Sequence, residues 1–285
     1  MADKIALVLE GGGSRGMFTA GILDSFLINN ITFDAVYGVS AGALYGASFV
    51  SRQIGRNVKL NKYIGDKRYG GFMHLLRSGS YFSWDFIFGE LAHEILPYDY
   101  KTLRNSTDFY VGVSNCNTGM PEFFRTNELE KTDYIELLTA SASLPFISPA
   151  VPYKGEEYLD GGMTASIPYE IALEQGADKV VVVLTRPEGY VKSEMKFQQI
   201  CKWYYQKYPM VYKALRDRAR HYNASIQKLK ELEKNGQAYV IYPNKELAVS
   251  RVERDSNKTE AIYHEAMNDS KVIIPTLEKW RRNDD

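Results

Sequence analysis

Asp34-Ala35-Val36-Tyr37-Gly38-Val39-Ser40-Ala41-Gly42-Ala43 is the stretch on which the reading of this chain turns. A short apolar run, Ala35-Val36-Tyr37, leads into a serine with glycine two residues away on either side, and a small-residue segment (Ala43, Leu44, Gly46, Ala47, Ser48) leaves it. Strand, sharp turn and helix in that order describe a nucleophile elbow, a turn so tight that only glycine fits at the flanking positions Gly38 and Gly42. The strain of such a turn holds the hydroxyl out at a strand end. The helix N-terminus beneath it favours developing negative charge. Ser40 is therefore the candidate nucleophile.

Composition sets the frame around it. A chain of 285 residues, 45% hydrophobic and 25% charged, has enough apolar sequence for a substantial core. Lys plus Arg and Asp plus Glu number 35 each, so no overall field draws nucleic acid, and none is expected as a partner. The two cysteines, Cys116 and Cys201, have no paired spacing, which suits a reducing compartment and offers no zinc site. The N-terminus runs straight into a strand without the segments of a signal peptide, and no apolar run approaches the ~20 residues that span a bilayer. A cytoplasmic protein, peripheral to membrane at most, is the expectation.

Ile5-Ala6-Leu7-Val8-Leu9 reads as a buried parallel strand ending in Glu10-Gly11-Gly12-Gly13-Ser14-Arg15-Gly16. Gly11-x-Gly13-x-x-Gly16 formally matches a dinucleotide fingerprint, with Asp34 at about the right distance, which would make the chain a nucleotide-dependent oxidoreductase. That reading leaves the serine turn unexplained, and Asp34 precedes a strand where the fingerprint's acid ends one. The competing reading uses the glycines as a cradle of N–H donors for the oxyanion of a tetrahedral intermediate, with Arg15 orienting the loop or pairing locally.

From about 52 to 106 the pattern is aromatic and irregular: Tyr63, Tyr69, Phe72, Tyr81, Phe82, Trp84, Phe86 and Phe88. These residues form a helical insert that either packs on the core or lines an apolar acyl pocket. Phe109–Ser114 and Pro121–Arg125 read as paired strands. A helix follows to about Ala142, with Ser141, Ser143 and Ser148 as structural residues. Val151–Leu159 reads as a hairpin turning at Lys154-Gly155 that delivers Asp160 beside Gly161 and Gly162, and Lys179–Leu184 reads as a second buried strand. The alternation from Ile5 to Leu184 predicts a three-layer α/β/α fold with a mostly parallel central sheet. The expected division is a catalytic part over 1–187 and a helical extension over 188–285. Within the extension, Ala238–Tyr242 is a late strand and Thr259–Trp280 a helix interrupted by Pro275. Basic residues crowd the stretch about 200–222, either as a solvated face or as an interfacial helix meeting anionic lipid.

A serine hydroxyl needs a proton acceptor. His74 and His93 lie in the aromatic insert, and His221 and His264 lie in charged helical pattern; none has a motif around it. The residue that does is Asp160, a carboxylate presented by a hairpin before two glycines.

Together, Glu10–Gly16, Gly38–Gly42 and Asp160-Gly161-Gly162 resemble the three signature blocks of patatin-like phospholipases, and Ala140–Pro145 through Pro168 resembles the family's approach to its catalytic aspartate. The likeness covers about residues 4–185. It implies a Ser40–Asp160 dyad without histidine, an oxyanion hole from the amides of Gly11, Gly12 and Gly13, and hydrolysis of acyl esters of lipids without metal or organic cofactor. Ser14, Arg15, Gly16, Gly38, Gly42, Gly161 and Gly162 would support that site. Thr164-Ala165-Ser166-Ile167-Pro168 departs from the family in lacking the asparagine common before that proline. A non-catalytic lipid-binding or regulatory module is the alternative.

Overall fold

Continuous apolar strands need cover on both faces, and β1 (Ile5–Leu9) shows how it is provided in this computed structural model, which describes residues 3–282. Ile5, Leu7 and Leu9 point into one core, and Ala6 and Val8 into another on the opposite face. β1 lies at the centre of the sheet, parallel to β2 (Ala35–Val39) on one side and to β7 (Lys179–Val183) on the other. β3 (Asp108–Asn115) runs parallel to β2, and β8 (Ala238–Ile241) parallel to β7. Antiparallel strands complete the far edge: β4 (Pro121–Arg125) pairs with β3, as does β6 (Glu156–Asp160), which forms a hairpin with β5 (Val151–Tyr153). Its turn falls at Lys154 and Gly155, both at positive φ, as the primed hairpin turns require.

Helices α1 (Met17–Ile28), α2 (Ala41–Val50), α6 (Lys131–Ala142) and α10 (Ser256–Arg282) cover the first core, and α7 (Tyr169–Glu174) and α9 (Pro209–Lys234) the second. The fold is thus the expected three-layer α/β/α arrangement around a mostly parallel sheet. The insert after α2 comprises α3 (Arg56–Asn61), α4 (Phe72–Ser78), a π-helical stretch over Asp85–Ile95 and α5 (Tyr100–Arg104). α8 (Gln198–Tyr204) precedes α9. Among these described residues no helix is long and apolar enough to cross a membrane.

The C-terminal residues share the sheet and core of the rest. β8 extends the main sheet, and α10 lies against α1, where the Tyr263 hydroxyl donates to Asp24 Oδ2 (2.7 Å) and the Ser270 hydroxyl to that of Ser25 (2.7 Å).

Three sequence readings are corrected. Pro275 does not interrupt α10; its missing N–H removes the helical donor for the carbonyl of Lys271, an exposed residue, while Ile274 and Leu277 remain anchored in the core. Asp34 cannot serve a dinucleotide at the glycine loop. Its Oδ2 accepts from the Ile5 amide (2.7 Å), at the start of β1, roughly 16 Å of strand away from Glu10. The basic stretch 200–222 is not one helix. It breaks before Pro209, and α9 buries its apolar residues Val211, Ala219, Tyr222 and Leu229.

Candidate active site

The sheet register brings the two candidate catalytic residues together. Gly112 of β3 pairs with Val39 on one side and Phe123 on the other; one step on, Val113 pairs with Asp160 and Glu122. β2 and β6 therefore follow one another along the same edge of β3, meeting head-on, with Ser40 and Asp160 at the junction. β6 must run antiparallel for its last residue to arrive there. The C-terminal ends of β1, β2 and β7 open onto the same place, where ligand sites of open α/β sheets form.

Ser40 has φ 54° and ψ −130°, a conformation that costs an L-residue on the order of 1–3 kcal/mol. Packing enforces it. A Cβ on Gly42 would stand 2.5 Å from the Leu9 carbonyl oxygen, and one on Gly38 2.8 Å from that of Gly42, so the turn closes only with glycine at both. The Ser40 amide donates to Ser141 Oγ (2.8 Å), whose own hydroxyl donates to the Gly112 carbonyl (2.7 Å). Read as structural from the sequence, Ser141 in fact holds the nucleophile's backbone; only its place in the Ala140–Pro145 segment hinted at this.

The Ser40 hydroxyl donates to Asp160 Oδ2 at 2.5 Å, a short bond between two side chains only 6% and 3% exposed. Asp160 Oδ1 accepts from the Gly162 amide (2.8 Å), and its backbone is held by Ser143 and Ser114. Burial pushes the Asp160 carboxyl above the ordinary carboxylate range. The Ser40 hydroxyl, the charges of Arg218 and Arg251 and the Gly162 amide oppose that shift. A carboxylate moved in this direction is a better proton acceptor near neutral pH.

Gly11, Gly12 and Gly13 wrap beside Ser40. The Gly11 amide is engaged by the Ser166 carbonyl (3.4 Å), whereas those of Gly12 and Gly13 make no hydrogen bond among the described residues. Gly13 has φ +56°, and a Cβ there would lie 2.2 Å from the Arg251 carbonyl oxygen. That carbonyl also receives the Ser14 amide (3.0 Å), and Ser14 Oγ accepts from the Glu253 amide (2.8 Å), so residues 251–253 strap the loop down. Gly16 admits the Tyr45 ring, Gly161 lies against the Gly112 carbonyl, and Arg15 is buried.

None of the four histidines lines either cavity at Ser40. His264 sits on Glu260 of its own helix, and His74 bonds the Ser80 carbonyl. No three His, Cys, Asp or Glu side chains among the described residues gather in a metal-binding group. One cavity at Ser40 is mainly apolar, lined by Met17, Leu44, Tyr69, Phe82, Trp84 and Ile87, with Arg251, Glu253 and Arg254 also in its wall. The aromatic insert both lines this cavity and packs into the core, where Phe86 and Phe88 are buried. The other cavity is rich in cations: Arg15, Arg186, Lys192, Arg218 and Arg251. Of these the sequence singled out only Arg15 as part of the site. Arg218 falls in the basic stretch expected to be a solvated face or an interfacial helix, but its Nε donates inward to the Gly162 carbonyl (2.7 Å).

The patatin-like phospholipase family model matches residues 7–173, and a domain of unknown function, DUF6363, matches residues 208–282. The uncharacterized protein YjjU of Escherichia coli is 31% identical over 207 residues, 70% of this chain and 57% of that protein. Lysophospholipase NTE1 of Cryptococcus neoformans is 29% identical over 186 residues, 64% of this chain and 11% of that enzyme. The chain therefore spans little more than half of the first relative and a small part of the second. Among solved structures, VipD from Legionella pneumophila aligns with 93% of this chain and 67% of its own, at 11% identity and a TM-score of 0.42. By the length of sequence its model covers, the family is settled: the chain belongs to the patatin-like phospholipases.

Proposed function

We propose that this protein is a serine hydrolase of lipid acyl esters that works through a Ser40–Asp160 dyad and an acyl-enzyme. The observation that carries the reading is the buried Ser40–Asp160 hydrogen bond at the end of the elbow strand. In the first half-reaction Asp160 Oδ2 takes the Ser40 proton while Oγ attacks the ester carbonyl. The oxyanion is received by the Gly12 and Gly13 amides, the two loop donors left free; Gly11 shapes the loop instead. Asp160 returns the proton to the departing alcohol. It then takes a proton from a water that attacks the acyl-enzyme and passes that proton to Ser40 Oγ as the acyl–oxygen bond breaks, releasing the fatty acid and restoring Ser40. No cofactor enters these steps. The apolar cavity beside Ser40 suits the acyl chain. A fluorophosphonate probe with mass mapping tests the reading: label on Ser40, absent in Ser40→Ala, is expected, and label elsewhere or none overturns it.

Contact with a lipid surface we assign to α8. Ile200 (63% exposed), Trp203 (70%) and Tyr204 stand out from it beside Phe197 and Phe146, with Lys202 and Lys207 at hand. Ile200→Ser with Trp203→Ser is expected to lower binding to anionic vesicles about 10²-fold or more, from ~1.5–3 kcal/mol for each of the two apolar side chains. Unchanged co-sedimentation sinks this assignment.

A further inference from the structure

The cationic cavity at Ser40 holds more positive charge than its surroundings answer. Five cations line it, Arg15, Arg186, Lys192, Arg218 and Arg251, while the only carboxylates among the lining residues are Glu10 and Asp160. Glu10 Oε2 is committed to the amide (2.5 Å) and hydroxyl (2.9 Å) of Thr185, and Asp160 to Ser40 and Gly162. Of the five cations only Arg186 forms an ion pair among the described residues, with the exposed Glu246 (2.7 Å).

Arg15 is 8% exposed, yet its Nε finds no acceptor. Buried donors are almost always bonded, so an unpaired one on a residue that lines this cavity leaves the cluster one acceptor short. Arg218 spends only its Nε, on the Gly162 carbonyl, and Lys192 Nζ rests over the Tyr222 ring (4.1 Å from its centroid). Burial first and the neighbouring cations second hold Lys192 down to about 7 and Arg15 to about 10. Crowding like charges out of water is costly, and an arriving anion relieves the cost. The concentration is local, since the whole chain carries no formal net charge.

We propose that this cluster is a binding site for a phosphate-class anion seated beside Ser40. Resting on the hydrolase reading, its natural occupant is the phosphate of an ester substrate whose acyl chain fills the apolar cavity. Planar guanidinium groups match phosphate oxygens two at a time, and several of them around one point favour a dianion over a carboxylate. Arg186, Lys192, Arg218 and Arg251 all lie beyond the residues matched by the patatin-like model, so the C-terminal part of the chain supplies the selectivity.

The test uses Lys192→Gln and Arg251→Gln, with two readouts. First, kcat/KM is compared for a lysophosphatidic acid and a monoacylglycerol bearing the same acyl chain. The ratio should favour the phosphate substrate in the parent protein and fall about tenfold in each variant, the loss expected for one charge-assisted bond. Second, inorganic phosphate alone should raise the Tm of the parent protein and do so less in each variant. This readout needs no catalysis, so it stands even if Ser40 proves unreactive and the hydrolase reading falls. A phosphate-dependent Tm with an unmoved substrate ratio assigns the site to free phosphate and still supports it. Cations serving only to tune Asp160 would shift the pH profile equally for both substrates, leaving the ratio fixed and Tm indifferent to phosphate. That result overturns the proposal.

Discussion

Two cavities meet at Ser40 and share Arg251, but one is walled mainly by apolar side chains and the other mainly by cations. One is walled by Met17, Leu44 and the aromatic insert, with Tyr69, Phe82 and Trp84 presenting ring surface. The other is walled by the glycine loop and five cations, three of which come from beyond residue 190. A nucleophile between an apolar wall and a cationic one is suited to a molecule with the same division, an acyl chain on one side of the ester and an anionic group on the other. The apolar wall supplies undirected binding that scales with area. The cationic wall supplies directed binding that depends on the exact anion. The comparison separates how tightly a substrate is held from which substrate is chosen.

The strongest way to break this picture is to remove the chemistry the two walls share. Ser40→Ala and Asp160→Asn should each reduce kcat/KM by about 10⁴-fold or more for every ester tried, and the double variant should be little worse than either, because the pair acts as a unit. On the proposed mechanism the same pair would set the pH profile: a base that works ionised and whose pKa burial raises makes activity fall as the pH drops through a value above the ordinary ~3.9 of an aspartate. An acid limb at or below that value, or loss on replacing His221 or His264 equal to that of Asp160→Asn, would count against a dyad.

Gly13→Ala comes next. Its positive φ and the Arg251 carbonyl 2.2 Å from the new methyl oblige the loop and its strap to part. A loss of about 10²–10³ in kcat is expected, the usual cost of a misplaced oxyanion donor. If instead kcat is preserved and only the phosphate-bearing substrate suffers, the loop serves the cationic wall rather than the oxyanion. Trp84→Ala should have the smallest and most selective effect, lowering kcat/KM for long-chain esters by about 10- to 100-fold relative to a short-chain ester, as ~1.5–3 kcal/mol of lost burial implies. Equal losses on both chain lengths would remove Trp84 from the acyl wall.

Much of this was legible before any coordinates. Ser40 announced itself through Gly38 and Gly42, because a backbone approach closer than a Cβ allows leaves no other residue type at those positions. Asp160 was marked by its hairpin and following glycines, and the layered fold by runs such as Ile5–Leu9. Such features are local: each follows from neighbours in the chain. What stayed hidden was non-local. Ser141 looked like an ordinary helical serine until the fold set it under the Ser40 amide. Gly11 was indistinguishable from Gly12 and Gly13 until Ser166, from a distant loop, took its N–H.

By itself, then, the sequence determined the pattern of hydrophobic strands and the strained elbow, and marked an alcohol and an acid as candidates, since backbone sterics and burial periodicity are written into adjacent residues. Only the tertiary structure decided which amides remain free and which charges turn inward. Arg218 and Arg251 sit in stretches whose composition is that of any solvated surface, and α9 and the 251–253 strap alone bring them to Asp160. The physical reason is that a charge's role depends on the dielectric and the partners around it, which the fold supplies and the residue type does not.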